Sequence, residues 1–345
     1  MTARKTPEKH DVMRSRVLIG TFAFFVGLFS ACAEEPFFKK GDVIALVGGE
    51  DMVAMSEYGY LELLLTRALP EHRLKFRNLA WEGDTVFEQR RDLNFPPLEA
   101  QLDQVGATVI ICQFGQMESF AGKEKVPDFS IAYEKLLAWM ASGGKRRVVV
   151  LGPFPLTDPP PTKKELDQEV ETGRKIGKRE QEDQVGPYYD AAKQVAKKAG
   201  FRFLPLMDEI NTRDGRTKTS DGIHLSRIGH GFVAPQIGEQ LHAIDEDTLA
   251  SNPMAAVLLV TAQRSLPLRE LITAKNRLWF DYWRVQNWAF LAGDRTEQPS
   301  SRDHLDRTKR WFPAEREQFL PLIEKKEQEI WDLAAKLASP AAASK

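Results

Sequence analysis

The stretch Val43-Ile44-Ala45-Leu46-Val47-Gly48-Gly49-Glu50-Asp51 decides the fold. Five apolar residues without a polar break are the pattern of a strand covered on both faces, which is how a parallel sheet treats its inner strands. Two glycines end the run and two acids follow. Outward from it, strand and helix signals alternate. Residues 58–69 carry apolar side chains at helical spacing and stop before Pro70. Residues 74–80 read as a second strand and 108–114 as a third, in which Cys112 is a buried small hydrophobe. A helix over 129–140 leads to a fourth strand at 148–151, closed by Gly152-Pro153. Residues 163–200 read as helical with a break at Gly186-Pro187. A fifth strand follows at 201–206, and a closing helix at 228–244. The pattern predicts an α/β protein: a five-stranded parallel sheet in a three-layer α/β/α sandwich, with any active edge at the strands' carboxyl ends.

Length and composition set the frame. The chain has 345 residues, 42% hydrophobic and 28% charged, with a formal net charge of −1 and no basic block. That balance suits a globular protein and offers no electrostatic footprint for nucleic acid. At the N-terminus, Arg14 and Arg16 precede an apolar run over 17–29 that is short for a bilayer span. Ala31-Cys32-Ala33 then supplies small residues of the kind found at leader cleavage sites. Residues 1–33 are therefore expected to be a secretory signal peptide, which places the protein in the periplasm or outside the cell. A second processing route is lipidation at Cys32. Loss of the leader's five basic and two acidic residues would take the net charge from −1 to −4. Cys112 would then be the only cysteine, so no internal disulfide is expected.

The carboxyl ends of the expected strands carry the chemistry. Gly48-Gly49-Glu50-Asp51 follows the first, and Asn78-Leu79-Ala80-Trp81-Glu82-Gly83-Asp84 the second. Phe114-Gly115-Gln116-Met117-Glu118-Ser119-Phe120 follows the third, and Ser220-Asp221-Gly222-Ile223-His224 comes after the fifth. An Asp three residues before a His, with Gly between, sets a carboxylate on a tight turn within reach of the imidazole. There it fixes the tautomer and stabilises the imidazolium.

These blocks, in this order, resemble the SGNH (GDSL-type) hydrolase family over about residues 41–244. The resemblance implies a flavodoxin-like sandwich covering 37–244 and an ester hydrolase, deacetylase-like, acting on an acylated carbohydrate or a similar small-molecule ester. It gives Asp221 and His224 the roles of orienter and base, and gives the backbone amide of Gly83 that of an oxyanion donor. At two signature positions the chain departs from the family. Glu50 stands where the nucleophilic Ser belongs, with Gly49 before it, and Met117 stands where the Asn belongs.

Several roles stay open for the replacements. Glu50 can pair with His224 and hold it protonated, can orient a water as general base, or can simply face solvent. Gln116 can bring its amide to the place of the absent Asn, whereas the Met117 thioether has no hydrogen to donate. Glu118 belongs to the same loop, and with Gly49, Gly83, Gln116 and Met117 it is expected to contribute to the oxyanion site or to ligand contacts. Ser56 is expected to cap the first helix, and Ser119 to sit in the loop or face the cleft. A catalytically impaired binding or assembly protein is the alternative to an esterase. His224 and His230 lie six apart without a Cys cluster, so no metal is expected, and nothing implies another cofactor.

Residues 245–338 are expected to form a helical C-terminal extension, with helices over 266–283 and 313–337. The connection 284–312 is polar and rich in Trp and Arg. Arg284, Asn287, Asp294 and Arg295 are its candidate ligand contacts if it lies over the active edge.

Overall fold

In a computed structural model the structure describes residues 2, 37–157, 162–172, 184–206, 218–244 and 262–338. The expected leader and Cys32 lie outside the described residues. So do residues 245–261.

The five strands form as the apolar runs require. They are β1 (Val43–Gly48), β2 (Lys75–Asn78), β3 (Val109–Gln113), β4 (Arg147–Leu151) and β5 (Arg202–Leu204). All neighbours pair in parallel, in the order β2-β1-β3-β4-β5. Leu46 lies opposite Asn78, and Val47 opposite Cys112. The connections from β1 and from β3 leave in opposite directions along the sheet. This makes the carboxyl ends of β1 and β3 the switch point, where a crevice opens. β2 and β5 are shorter than the sequence predicts, because each is an edge strand with one ladder to hold it.

Helices cover both faces. On one side of the sheet are α2 (Tyr60–Ala68) and α7 (Arg227–Gln240); on the other are α3 (Leu98–Gln104), α4 (Val126–Ala141) and α6 (Gly186–Lys198). The polar α5 (Lys163–Thr172) precedes α6. Alternate strand residues feed the two cores: Ile44, Leu46, Ile111 and Val149 on the first face, Ala45, Val47, Cys112 and Val150 on the second.

One helix departs from expectation. The chain turns helical directly after β1, as α1 (Glu50–Tyr58), and Gly59 then breaks it before α2. Gly59 has φ 68°, and a Cβ there would stand 3.1 Å from Ile272, so both backbone and packing demand glycine. Ser56 is therefore inside α1 and caps nothing. Its hydroxyl accepts a 2.8 Å hydrogen bond from Asn78. The polar residues Glu50, Asp51, Ser56 and Glu57 mask this helix from a periodicity search.

The C-terminal part adds α8 (Leu266–Trp283), α9 (Trp311–Glu317) and α10 (Phe319–Ala338). Helix α8 contributes Leu268 and Ile272 to the first core, and Trp279, Tyr282 and Trp283 to the second. It thus wraps the β2 edge, whose outward carbonyls would otherwise be bare. Trp331 donates to Leu74 O at 3.2 Å and Trp279 to Asn78 O at 2.8 Å, while Arg77 caps Phe76 O at 2.8 Å. Arg77 also pairs with buried Glu327 at 2.6 Å. The deepest link is between Lys275, fully buried, and Glu62 at 2.8 Å. No helix among the described residues is long and apolar enough to cross a membrane.

A buried pair punishes the loss of one partner more than the loss of both. Lys275→Met should lower unfolding stability by about 3–5 kcal/mol in urea titrations. The double change with Glu62→Leu should recover most of that loss. Equal stability of the single variant and the wild type would contradict a dry pair at this site.

Candidate active site

The turn after β5 is built locally. Asp221 Oδ1 accepts the backbone amides of Ile223 and His224, each at 2.8 Å, and Gly222 supplies the left-handed φ of 90°. Asp221 Oδ2 then meets His224 Nδ1 at 2.8 Å. These contacts hold the Asp221 carboxyl below its ordinary range, although its partial burial acts the other way.

Three sheet ends clamp this turn. The carbonyl of Gly222 accepts from Thr157 N at 2.8 Å, beyond β4. Ile223 O accepts from Gln116 Nε2 at 2.6 Å, after β3. Leu225 N donates to Asp51 Oδ1 at 2.7 Å, after β1. Ser226 follows as the N-cap of α7, accepting from Gly229 N at 3.1 Å.

Glu50 is the first residue of α1, where the helix dipole favours a carboxylate. Its Oε2 lies 3.3 Å from His224 Nε2. The imidazole therefore stands between two carboxylates, with Asp221 on Nδ1 and Glu50 on Nε2. Burial alone would lower the His224 pKa. The Asp221 hydrogen bond and the charges of Asp51, Glu50 and Asp221 outweigh it, and the value is raised above 6.5.

Asp51 and His230 are participants that the sequence reading missed. Burial lifts the Asp51 carboxyl to about 7, against the pull of the Leu225 amide and of His224. His230 lies 4.0 Å away, and burial drives it down to about 3, so it is neutral. Among the described residues, Asp51 Oδ2 and both His230 ring nitrogens are buried without a hydrogen-bond partner. The only sequence signal was the Glu50-Asp51 doublet at a helix start.

Other expected site residues divide. Gly49 touches the turn after β2, where a Cβ on it would meet Asp84 O at 3.6 Å and Glu82 O at 3.8 Å. This brings Gly83 beside Glu50. Met117 is partly exposed on the loop after β3. Gln116 is corrected: its amide donates to Ile223 O and, at 3.4 Å, to Phe154 O, so both hydrogens are committed and neither serves an oxyanion. Glu118 is also corrected from a ligand contact to a strut. It is buried, and its carboxylate accepts from Val86 N at 2.8 Å and Gly115 N at 2.7 Å. Ser119 is buried and donates to Gln116 O at 2.6 Å, so it is no nucleophile. Among the described residues no hydroxyl is hydrogen-bonded to His224 Nε2.

From the extension, Arg284 reaches the edge. It grips Glu82 at 2.6 and 3.1 Å and stacks on Trp81, 4.0 Å from the ring centre. Two further residues of the connection bond to the loop after β2. Trp288 donates to Leu93 O at 2.8 Å, and Asn94 donates to Ala292 O at 2.9 Å. Arg295 turns its guanidinium toward Phe290, and Asn287 opens the short 3-10 turn Trp288–Phe290, with Asp294 in the turn beyond. Among the described residues, no group of three His, Cys, Asp or Glu side chains could hold a metal ion.

Comparison with known proteins places the fold. No family model and no curated protein matches the sequence. A gut microbial diltiazem-metabolizing enzyme superposes with a TM-score of 0.53 at 13% identity, over 87% of this chain and 95% of its own. That share is more than residues 36–244 can supply, so the common fold takes in C-terminal helices. A candidate GDSL-like lipase from Parabacteroides merdae aligns at 14% identity and TM-score 0.45, over 60% of this chain and 98% of its own. The esterase EstA from Pseudoalteromonas aligns at 13% and 0.40, over 58% and 96%.

The buried Asp51 makes a signed prediction. Its carboxyl ionises near 3.8 when unfolded and near 7 when folded, so folding loses stability as pH rises between those values. Asp51→Asn carries no such charge. Its thermal midpoint relative to wild type should improve steadily from pH 4 to pH 8. A difference that stays flat with pH would show that Asp51 is ionised in the fold.

Proposed function

We propose that this chain, which has the SGNH-type fold, is an ester hydrolase that works without an acyl-enzyme. Glu50 is the base that activates a water, and the His224 imidazolium is the acid. The 3.3 Å contact between Glu50 and His224 Nε2 carries this reading. A serine route needs a neutral imidazole with Nε2 facing a hydroxyl. Here Nε2 faces a carboxylate, and although burial opposes it, the Asp221 hydrogen bond and the neighbouring carboxylates raise the pKa and so favour the imidazolium form. Such a group is a poor base and a competent acid.

The chemistry balances with water alone. Glu50 is half exposed, leaving carboxylate surface for a water. The water oxygen attacks the ester carbonyl carbon while Glu50 takes its proton. The bond to the leaving alcohol breaks, and the alkoxide takes the Nε2 proton of His224. The proton on Glu50 then passes to His224, which resets the pair. Asp221 orients the ring and stabilises its charge, and the Gly83 amide takes the oxyanion role that the family resemblance implies. For substrate we favour an acylated carbohydrate, the class that the family resemblance implies. Binding without turnover is a second reading. It is favoured by the committed Gln116 amide and the donorless Met117, which leave the oxyanion one donor short.

The pH profile separates this route from a serine enzyme. Turnover of p-nitrophenyl acetate should fall as pH rises through the His224 pKa, above 6.5, because the acid form is the active one. A serine enzyme rises there. No burst should be seen, and Glu50→Gln should lose about 10²–10⁴ in kcat. Glu50→Ser with Met117→Asn should introduce a burst and phosphonate labelling at residue 50. A wild-type burst would refute the proposal. Absence of turnover across an ester panel, with saturable calorimetric binding of an acylated sugar, would establish the binding reading.

Export is part of the same proposal and rests on the leader-like residues 1–33. Mass spectrometry of the exported fraction should find a mature N-terminus at Glu34, or a lipidated Cys32. An intact Met1 species confined to the cytoplasm would overturn it.

A further inference from the structure

A second cavity lies between α1, the end of β2 and α8, with a volume of about 300 Å³. It is separate from the cleft. Ser56, which lines it, is six residues beyond Glu50 on the same helix, or ~9 Å along the axis. Its walls are apolar. Trp279 and Trp283 stack with ring centres 5.2 Å apart and planes 14° from parallel, and Val53, Ala80 and Phe280 complete them.

One lining residue carries a donor that the protein leaves unused. The Ser56 oxygen accepts from Asn78, and among the described residues its own hydrogen has no acceptor. The charged groups around the cavity are largely satisfied within the protein. Arg277 pairs with Asp281 at 2.9 Å and Arg284 with Glu82, while Glu57 adds a negative charge. Nothing there draws an anion.

We propose that this cavity binds a flat, uncharged molecule: an aromatic or alicyclic ring bearing a carbonyl or ether oxygen. The ring lies against the tryptophans, and the oxygen accepts from the Ser56 hydroxyl. A cavity of about 150 Å³ already holds benzene, so this one admits a ring with a substituent. The site stands apart from the proposed chemistry at Glu50, and its test does not use turnover.

Three probes resolve the claim: methyl benzoate (ring and carbonyl), toluene (ring alone) and benzoate (a charged acceptor). Each is titrated into the full chain while tryptophan fluorescence and the indole N–H resonances are followed by NMR. Methyl benzoate should bind saturably and shift the Trp283 indole signal. Toluene should bind roughly 2- to 13-fold more weakly, the worth of one hydrogen bond. Ser56→Ala should remove most of that difference and leave toluene unchanged. Thr273→Trp, which puts a bulky ring on the lining, should abolish binding of both. If that variant does not fold, the wild-type series and Ser56→Ala still decide. Absence of saturable binding by methyl benzoate, benzoate binding more tightly than methyl benzoate, or an unchanged preference in Ser56→Ala would each overturn the proposal.

Discussion

The hydrogen bond from Leu225 N to Asp51 Oδ1 is the constraint on which the cleft depends. It spans 174 residues of sequence and is buried at both ends. It ties the start of α1 to the end of the Asp/His turn, so Glu50 and His224, one residue before each anchor, are held face to face. A buried acceptor of this kind contributes modestly as a bond, about 1 kcal/mol, but leaving its donor bare would cost more. Gln116 does the same from β3 and Thr157 from beyond β4. The Asp221–His224 turn is therefore clamped by the sheet's own carboxyl ends.

The acid next door sets the charge of the site. Asp51, lifted to about 7 by burial, sits near neutrality while Glu50 and Asp221 flank the imidazole. With two carboxylates on its nitrogens, His224 is better placed to give a proton than to take one. A serine in the place of Glu50 would reverse that preference, because a hydroxyl does not hold the imidazolium. A single substitution thus changes the protonation logic of the whole arrangement.

The C-terminal helices follow from a different need. A parallel sheet of this order leaves β2 as an edge, and an edge strand must be blunted or covered. Helix α8 runs past that edge and fills core on both faces, while Trp279 and Trp331 satisfy its outward carbonyls. Because α8 meets α1 through bulky aromatics above a polar floor, the two helices do not close completely. The cavity at Ser56 is the space that remains.

By itself the sequence determined the elements that depend on near neighbours. The apolar runs at 43–47 and 148–151 are strands because no polar residue breaks their burial. The Asp221 to His224 turn forms because an Asp side chain reaches its own following amides. The order of these pieces carried the α/β sandwich. Tertiary structure decided what every buried polar residue does. Ser56 and Gln116 read as a cap and an oxyanion donor, but they bond to Asn78 and Ile223, partners that local spacing does not reveal. Glu118 reads as a cleft residue, but it supports two loops from inside. The 3.3 Å between Glu50 and His224 could not be read from the chain, which left solvent, water or imidazole open as partners for Glu50. A polar group chooses its partner by proximity in the fold, and proximity across 174 residues is set by how the sheet brings its strand ends together.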